Sequence, residues 1–290
     1  MDLGPVGLWS AGLRRAEEME AADAVAELEG LGYPTVFVPG GEPDTFDRLE
    51  LLLKSSSRLV VASGIINIWN LTSNEVAISA AKLRSTFENR FLLGLGVGHR
   101  PTVDADEPGR YKKPVAAMIR FLDALDAAVD PVPNDGRIVA ALSDQMLEVA
   151  RLRAAGSHPY LVTPEHTARA RELLGEGSLL APEQAVLLEA DPSTAREKAR
   201  EHVSYYFHFE NYTNNWRRMG FIEDDFSNGG SDRLVDALVV WGGEERILQR
   251  IQEHQSAGAD HVSLQVVGTR PTELPLESWR RLAPVVIGGA

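Results

Sequence analysis

The run Gly94-Leu95-Gly96-Val97-Gly98-His99 packs three glycines and a histidine into six residues. A dinucleotide fingerprint would need a further glycine where His99 stands, so that reading fails. Glycines at a strand end also let a flat ring approach the backbone closely. Beside them, His99 can protonate or polarise a substrate, since an unperturbed imidazole titrates near 6.5. A tight turn closing a strand accounts for the same residues without chemistry. Two further positions could hold an anion. Ser143 precedes the helical run Met146, Leu147, Val149 and Ala150, as an N-cap whose hydroxyl and nearby amides suit a phosphate. Thr163-Pro164-Glu165-His166 repeats the arrangement, with Thr163 as cap, Pro164 at the first helical position and His166 adding charge when protonated. Capping alone explains both, and two capped starts on neighbouring units would also form one phosphate site.

Other chemistries find no motif. The remaining histidines, His158, His202, His208, His254 and His261, lack metal-ligand spacing, so no metal is expected. There is no HExxH, no G-x-S-x-G elbow and no Walker loop. The chain has no cysteine, which removes thiolate chemistry and fits a reducing compartment. Glu17-Glu18 and Glu223-Asp224-Asp225 read as solvated faces.

These residues must be positioned by a scaffold of 290 residues that is 44% hydrophobic, enough to bury a sizeable core. Acidic residues outnumber basic ones 42 to 29, for a net charge of −13. Bulk electrostatics then disfavour nucleic acid and anionic membranes as partners. Met1-Asp2-Leu3-Gly4-Pro5 shows no signal peptide, and no run approaches a spanning helix, so a cytoplasmic protein is expected. Without export, the patterns at Asn70 and Asn211 carry no glycan.

Short β-like runs alternate with helical ones throughout. Ala21, Val25, Leu28 and Leu31 mark one helical face that Gly32 ends, before the strand-like Thr35-Val36-Phe37-Val38. Ile247, Leu248 and Ile251, then Gly258, then His261–Val266, repeat this grammar. Eight strands are predicted, at 6–9, 35–38, 59–66, 91–95, 138–141, 160–162, 185–188 and 261–266. The pattern gives an α/β fold, a closed (β/α)8 TIM barrel, with an open doubly wound sheet as the alternative. The stretch 205–240, rich in aromatics and amides, is too long for an ordinary joint. It reads as a helical insertion before the last strand of a single domain spanning 1–290. In such a barrel the site lies at the strand C-termini. That selects Trp9-Ser10, Pro39-Gly40-Gly41, Asn67-Ile68-Trp69, Gly96 to Arg100, Leu142-Ser143, Thr163 to His166 and the residues after Val266.

The chain resembles the luciferase-like monooxygenase superfamily, and within it an actinobacterial group of coenzyme F420-dependent oxidoreductases. The carriers are Leu31 to Gly41, Ala62 to Trp69, Phe91 to His99 and Ala257 to Val262, and the likeness runs over essentially the whole chain. The resemblance implies a (β/α)8 barrel, a homodimer, and a flavin or deazaflavin at the strand C-termini. It implies a non-prolyl cis bond at Gly64–Ile65, followed by Ile66 and Asn67, against the cofactor ring. Gly96, Val97 and Leu142 would line the ring site. The cofactor phosphate would sit near Ser143, Thr163 and His166, with backbone near Gly156. Three positions depart from the family pattern. Gly40-Gly41 stands where relatives often carry an acid and a histidine, Val97 where some carry a glutamate, and Ser143-Asp144-Gln145 where Gly-Pro-Lys is usual.

The resulting expectation is an oxidoreductase moving a hydride between reduced F420 and a small organic substrate, with His99 as acid. Trp9, Trp69, Gly40 and Gly41 would wall the substrate. An FMN-dependent monooxygenase is the runner-up, and a catalytically silent barrel serving as a binding or dimer partner is the third reading.

Overall fold

The computed structural model describes residues 1–40 and 44–288. The chain opens with β1 (Val6–Trp9), α1 (Gly12–Arg15), α2 (Glu18–Gly30), β2 (Thr35–Val38) and α3 (Thr45–Lys54). Next come β3 (Val60–Ser63), β4 (Ile66–Asn67), α4 (Ser73–Thr86), β5 (Phe91–Gly96), α5 (Arg100–Asp106) and α6 (Pro114–Asp126). Then follow β6 (Arg137–Val139), α7 (Asp144–Arg153), β7 (Gly156–Ser157), α8 (Pro164–Leu174), β8 (Leu179–Leu180) and β9 (Glu183–Leu187). The last part holds α9 (Pro192–Ser204), α10 (Glu210–Arg218), α11 (Asp232–Leu238), β10 (Val239–Trp241), α12 (Glu244–Ser256), β11 (Val262–Val266) and α13 (Leu276–Val286).

Every strand pair is parallel, in the order β10-β9-β11-β1-β2-β3-β5-β6-β7-β8, with β4 beside β5. β8 and β9 belong to one run, 179–187, and that run closes the barrel. Ala181 and Glu183 donate backbone bonds to Ser157 and Pro159 at 2.9 and 2.8 Å, while Ser263 donates to Pro182 at 2.9 Å from the other side. The expected TIM barrel is therefore the fold.

Strand alternation sorts the side chains into two cores. The register Trp9↔Phe37, Phe37↔Ala62, Ala62↔Leu92 carries one inward line around the barrel. These four pack with Leu3, Val60, Ile138 and Ala181 inside it. The alternate positions, among them Leu8, Val36, Val61, Leu93 and Val139, meet the helices outside. Because both faces are covered, the strands read as continuous apolar runs rather than alternating ones. Gly32 and Gly258 follow the ends of α2 and α12 at φ +92° and +98°, a left-handed helix stop that suits glycine at both joints.

The structure corrects several strand positions. The predicted 59–66 strand is β3 and β4, separated by a cis Gly64–Ile65 bond. The strand placed at 160–162 lies earlier, at Gly156–Ser157, because Pro159 cannot donate to a ladder and Leu161 takes φ +51°. Leu179–Leu180 and Val239–Trp241 are strands that the pattern did not reveal. The insertion is helical as expected, through α10, α11 and 3₁₀ turns at Tyr205–His208 and Glu223–Gly229. Its predicted last residues, Val239 and Val240, belong to β10, which pairs with β9. Trp216, fully buried, pins the insertion by donating Nε1–H to the Leu161 carbonyl at 3.1 Å.

Candidate active site

A cavity of about 480 Å³ opens at the C-terminal ends of the strands, roofed on one side by the insertion. Strand ends contribute Trp9, Gly40, Gly64, Ile65, Asn67, Gly96, Val97, His99, Leu142 and Ser143. All of these were selected from sequence. Gly41 lies outside the described residues. Ile66, Trp69, Gly156, Thr163 and His166 do not line the cavity.

The glycines shape its wall. A Cβ on Gly96 would stand 2.6 Å from the Ile65 side chain, so the absence of one leaves Ile65 room to project beside β5. Gly94, two residues earlier, serves packing instead, for a Cβ there would lie 1.9 Å from the Ser63 carbonyl oxygen. The Gly64–Ile65 segment is held from three sides. Trp9 Nε1–H donates to the Gly64 carbonyl at 3.1 Å, Gly64 N–H to Val38 at 2.8 Å and Gly40 N–H to Ile65 at 3.3 Å. Trp69 is a buttress rather than a wall. Its Nε1–H donates to the Val97 carbonyl at 2.8 Å and its ring packs on Tyr111, which does line the cavity.

His99, half-buried, is gripped by the insertion. Its Nδ1 bonds Asn211 Oδ1 at 3.2 Å, and Phe209 stacks on the ring at 4.1 Å and 18°. Burial lowers its pKa from 6.5, opposed more weakly by the Asn211 bond, so the neutral imidazole is favoured at pH 7.

At the mouth, Ser143 caps α7 as expected, its Oγ accepting the Met146 N–H at 3.3 Å. Asp144 turns away to pair with Arg169 at 2.7 Å. Thr163 stands at the N-cap of α8, but its hydroxyl makes no capping bond. His166 lies behind Leu142, with Nε2 3.5 Å from that carbonyl, and burial pushes its pKa down to about 4. It is thus neutral across the range where its charge was expected to help a phosphate, and a pH-dependent contribution there falls away. The positive charge comes from a residue that sequence reasoning missed. Arg218, from the last turn of α10, reaches the same Leu142 carbonyl at 3.1 Å and lines the cavity.

Also missed were Tyr111, Tyr160, Tyr206, Asn211, Tyr212 and the floor residue His158. Tyr160 Oη lies 2.9 Å from Tyr206 Oη and donates to Gln265 Oε1 at 2.7 Å, so barrel and insertion share a polar link beside the cavity. The aromatic and amide richness of 205–216 was the one available signal. Among the described residues no aspartate, glutamate or lysine lines the cavity. In a chain of net charge −13, the formal charge carried by the described lining residues is that of Arg218. Among the described residues no group of three or more histidine, aspartate or glutamate side chains could hold a metal, and no helix is long and apolar enough to cross a membrane.

Comparison with known proteins follows the same lines. Residues 10–261 match the family model described as luciferase-like monooxygenase. No curated protein matches the chain. Among solved structures, an F420-dependent secondary alcohol dehydrogenase, bound to an F420–acetone adduct, superposes with TM-score 0.74 at 12% identity, covering 99% of each chain. The coenzyme F420-dependent tetrahydromethanopterin reductase of Methanopyrus kandleri gives 0.71 at 15%, covering 100% of this chain and 99% of that one. The oxygenating component of 3,6-diketocamphane monooxygenase from Pseudomonas putida, in complex with FMN, gives 0.65 at 13%, covering 98% and 96%. At these identities the likeness establishes the fold alone.

Proposed function

The chain belongs to the luciferase-like monooxygenase family, and on that premise we propose that it is an oxidoreductase moving a hydride between coenzyme F420 and a small organic substrate. The observation that carries this reading is the charge of the cavity. Among the described residues of a strongly acidic chain no carboxylate lines the cavity, while Arg218 and the amide-bearing start of α7 stand at its mouth. That combination favours an anionic, phosphate-bearing ligand. The glycine wall at Gly96 and the close packing of Gly64 against Trp9 fit a flat ring.

Gly64, Ile65, Asn67, Gly96, Val97 and Leu142 would flank the ring, with Ile66 and Gly156 behind them in the sheet. Ser143 and Arg218 would hold the phosphate, backed by Thr163 and His166. When bound, the deazaflavin supplies the hydride donor or acceptor. The chain's own residues bind, orient and handle the proton. Trp9, Gly40 and the tyrosines of the insertion enclose the substrate side and exclude water. His99, neutral at pH 7, takes the proton of a substrate hydroxyl during oxidation and returns it during reduction, rather than acting as a standing acid. The reading also takes 1–290 as one domain, working as a cytoplasmic homodimer.

Oxygen chemistry with FMN is the second reading, favoured by structural neighbours named as monooxygenases. The fate of oxygen separates the two. Protein with reduced F420 should convert a ketone panel under argon and consume no oxygen in air. Oxygen uptake that requires FMN and a flavin reductase would replace the hydride reading with the monooxygenase one.

A further inference from the structure

We propose that Asn211, carried by the helical insertion and not by the barrel, is the positioning residue that makes His99 a proton acceptor. The amide oxygen of Asn211 accepts from His99 Nδ1–H at 3.2 Å. A neutral imidazole has one ring proton, so committing it at Nδ1 leaves the lone pair on Nε2. The ring is also fixed in orientation. Phe209 stacks on it at 4.1 Å, and Tyr212 packs against it, tilted, at 5.4 Å. All three contacts come from one turn, 209–212, whose start is tied by the Tyr212 N–H to the Phe209 carbonyl at 3.0 Å. Trp216 anchors the same helix in the barrel wall.

The surroundings favour an amide in this role. Tyr212 is the titratable side chain in ring contact with His99 from the insertion. On its own side of the site, Arg100 lies over the Tyr111 ring at 5.6 Å. Glu210 precedes Asn211 and is exposed. An amide oxygen fixes the tautomer without the full charge by which a carboxylate would hold the ring as a cation. Burial then keeps the imidazole neutral and ready to receive a proton.

The role rests on the hydride reading and gives it a direction for the proton. A bound oxidised deazaflavin would accept the hydride of the substrate C–H bond, and what the chain itself handles is the O–H bond, which breaks with it. Its electrons form the carbonyl π bond, and the proton passes to His99 Nε2. The insertion thus supplies the group that readies a barrel residue.

The test needs no cofactor for its first arm. The His99 titration is followed by NMR in the ligand-free full chain, in the parent, Asn211→Asp and Asn211→Ala. Asn211→Asp should raise the His99 pKa by about one unit or more, because a carboxylate then faces Nδ1. Asn211→Ala should shift proton occupancy toward Nε2, seen in the imidazole ¹⁵N shifts. With F420 and an alcohol that the parent oxidises, Asn211→Ala should lower kcat roughly tenfold at pH 7 and leave KM within about twofold. Asn211→Asp should move the pH profile upward with the NMR value. If His99 titrates identically in all three proteins, the proposal is overturned. If the titration shifts as expected while no variant or parent reduces F420, the positioning of His99 stands and the hydride reading fails.

Discussion

Replacing Glu183 by glutamine should remove one defined piece of the pH dependence of stability. Glu183 is fully buried, its Oε2 accepts the Leu161 N–H at 3.0 Å, and its Oε1 has no partner among the described residues. Burial pushes its pKa from 4.5 up to about 8, the Leu161 bond opposing this more weakly. Between those values the folded chain holds a proton that the unfolded chain has lost. Stability contributed by this group is therefore full below pH 4.5 and declines as pH rises through 8. At about 1.4 kcal/mol per pH unit, the decline between pH 5 and 8 is on the order of 3 kcal/mol. Glutamine keeps an oxygen for Leu161 and cannot titrate. The buried histidines, His158, His166, His202, His254 and His261, have pKa values lowered by burial and act in the opposite sense below 6.5. They are common to both proteins and cancel in the difference. Urea denaturation of parent and Glu183→Gln at pH 5, 6, 7 and 8 reads that difference directly. The two should be of similar stability at pH 5, and the variant should be ahead by about 3 kcal/mol at pH 8. Parallel curves across that range would refute the reasoning.

Two further substitutions separate packing from binding. Gly94→Ala should destabilise the barrel by roughly 3 kcal/mol or more, since its Cβ would meet the Ser63 carbonyl at 1.9 Å; thermal unfolding within about 1 kcal/mol of the parent would contradict this. Arg218→Gln, at an exposed position, should leave stability nearly unchanged yet weaken F420 or FMN binding about tenfold and flatten its salt dependence; an unchanged Kd would remove Arg218 from the phosphate site.

The barrel was legible because its repeat is written in local chemistry. A glycine in left-handed conformation closes α2 and α12, and apolar runs covered on both faces mark the strands. Short strands such as Leu179–Leu180 and Val239–Trp241 lack that signal, since two or three apolar residues look alike in a strand, a helix end or a loop. On the barrel side of the site, Trp9, Asn67, Gly96, His99 and Ser143 followed from the rule that strand C-termini carry chemistry, and Gly64 and Ile65 from the family resemblance. Thr163 and His166 were selected by the same rule, but the strand before them ends at Ser157, and neither residue lines the cavity. Asn211, Tyr212 and Arg218 were invisible as site residues because nothing in the insertion's own pattern says which part of the barrel it lies against. That docking is decided by long-range contacts such as Trp216 to Leu161.

Equilibrium titration of the purified protein with F420 and, separately, with FMN tests the cofactor assignment most directly. Deazaflavin fluorescence or tryptophan quenching reports binding, with Trp9 in the cavity wall. Saturable F420 binding at micromolar concentration, weakened by added salt and by Arg218→Gln, is the predicted result. Tight binding of FMN with none of F420, or binding of neither at micromolar concentration, would contradict it.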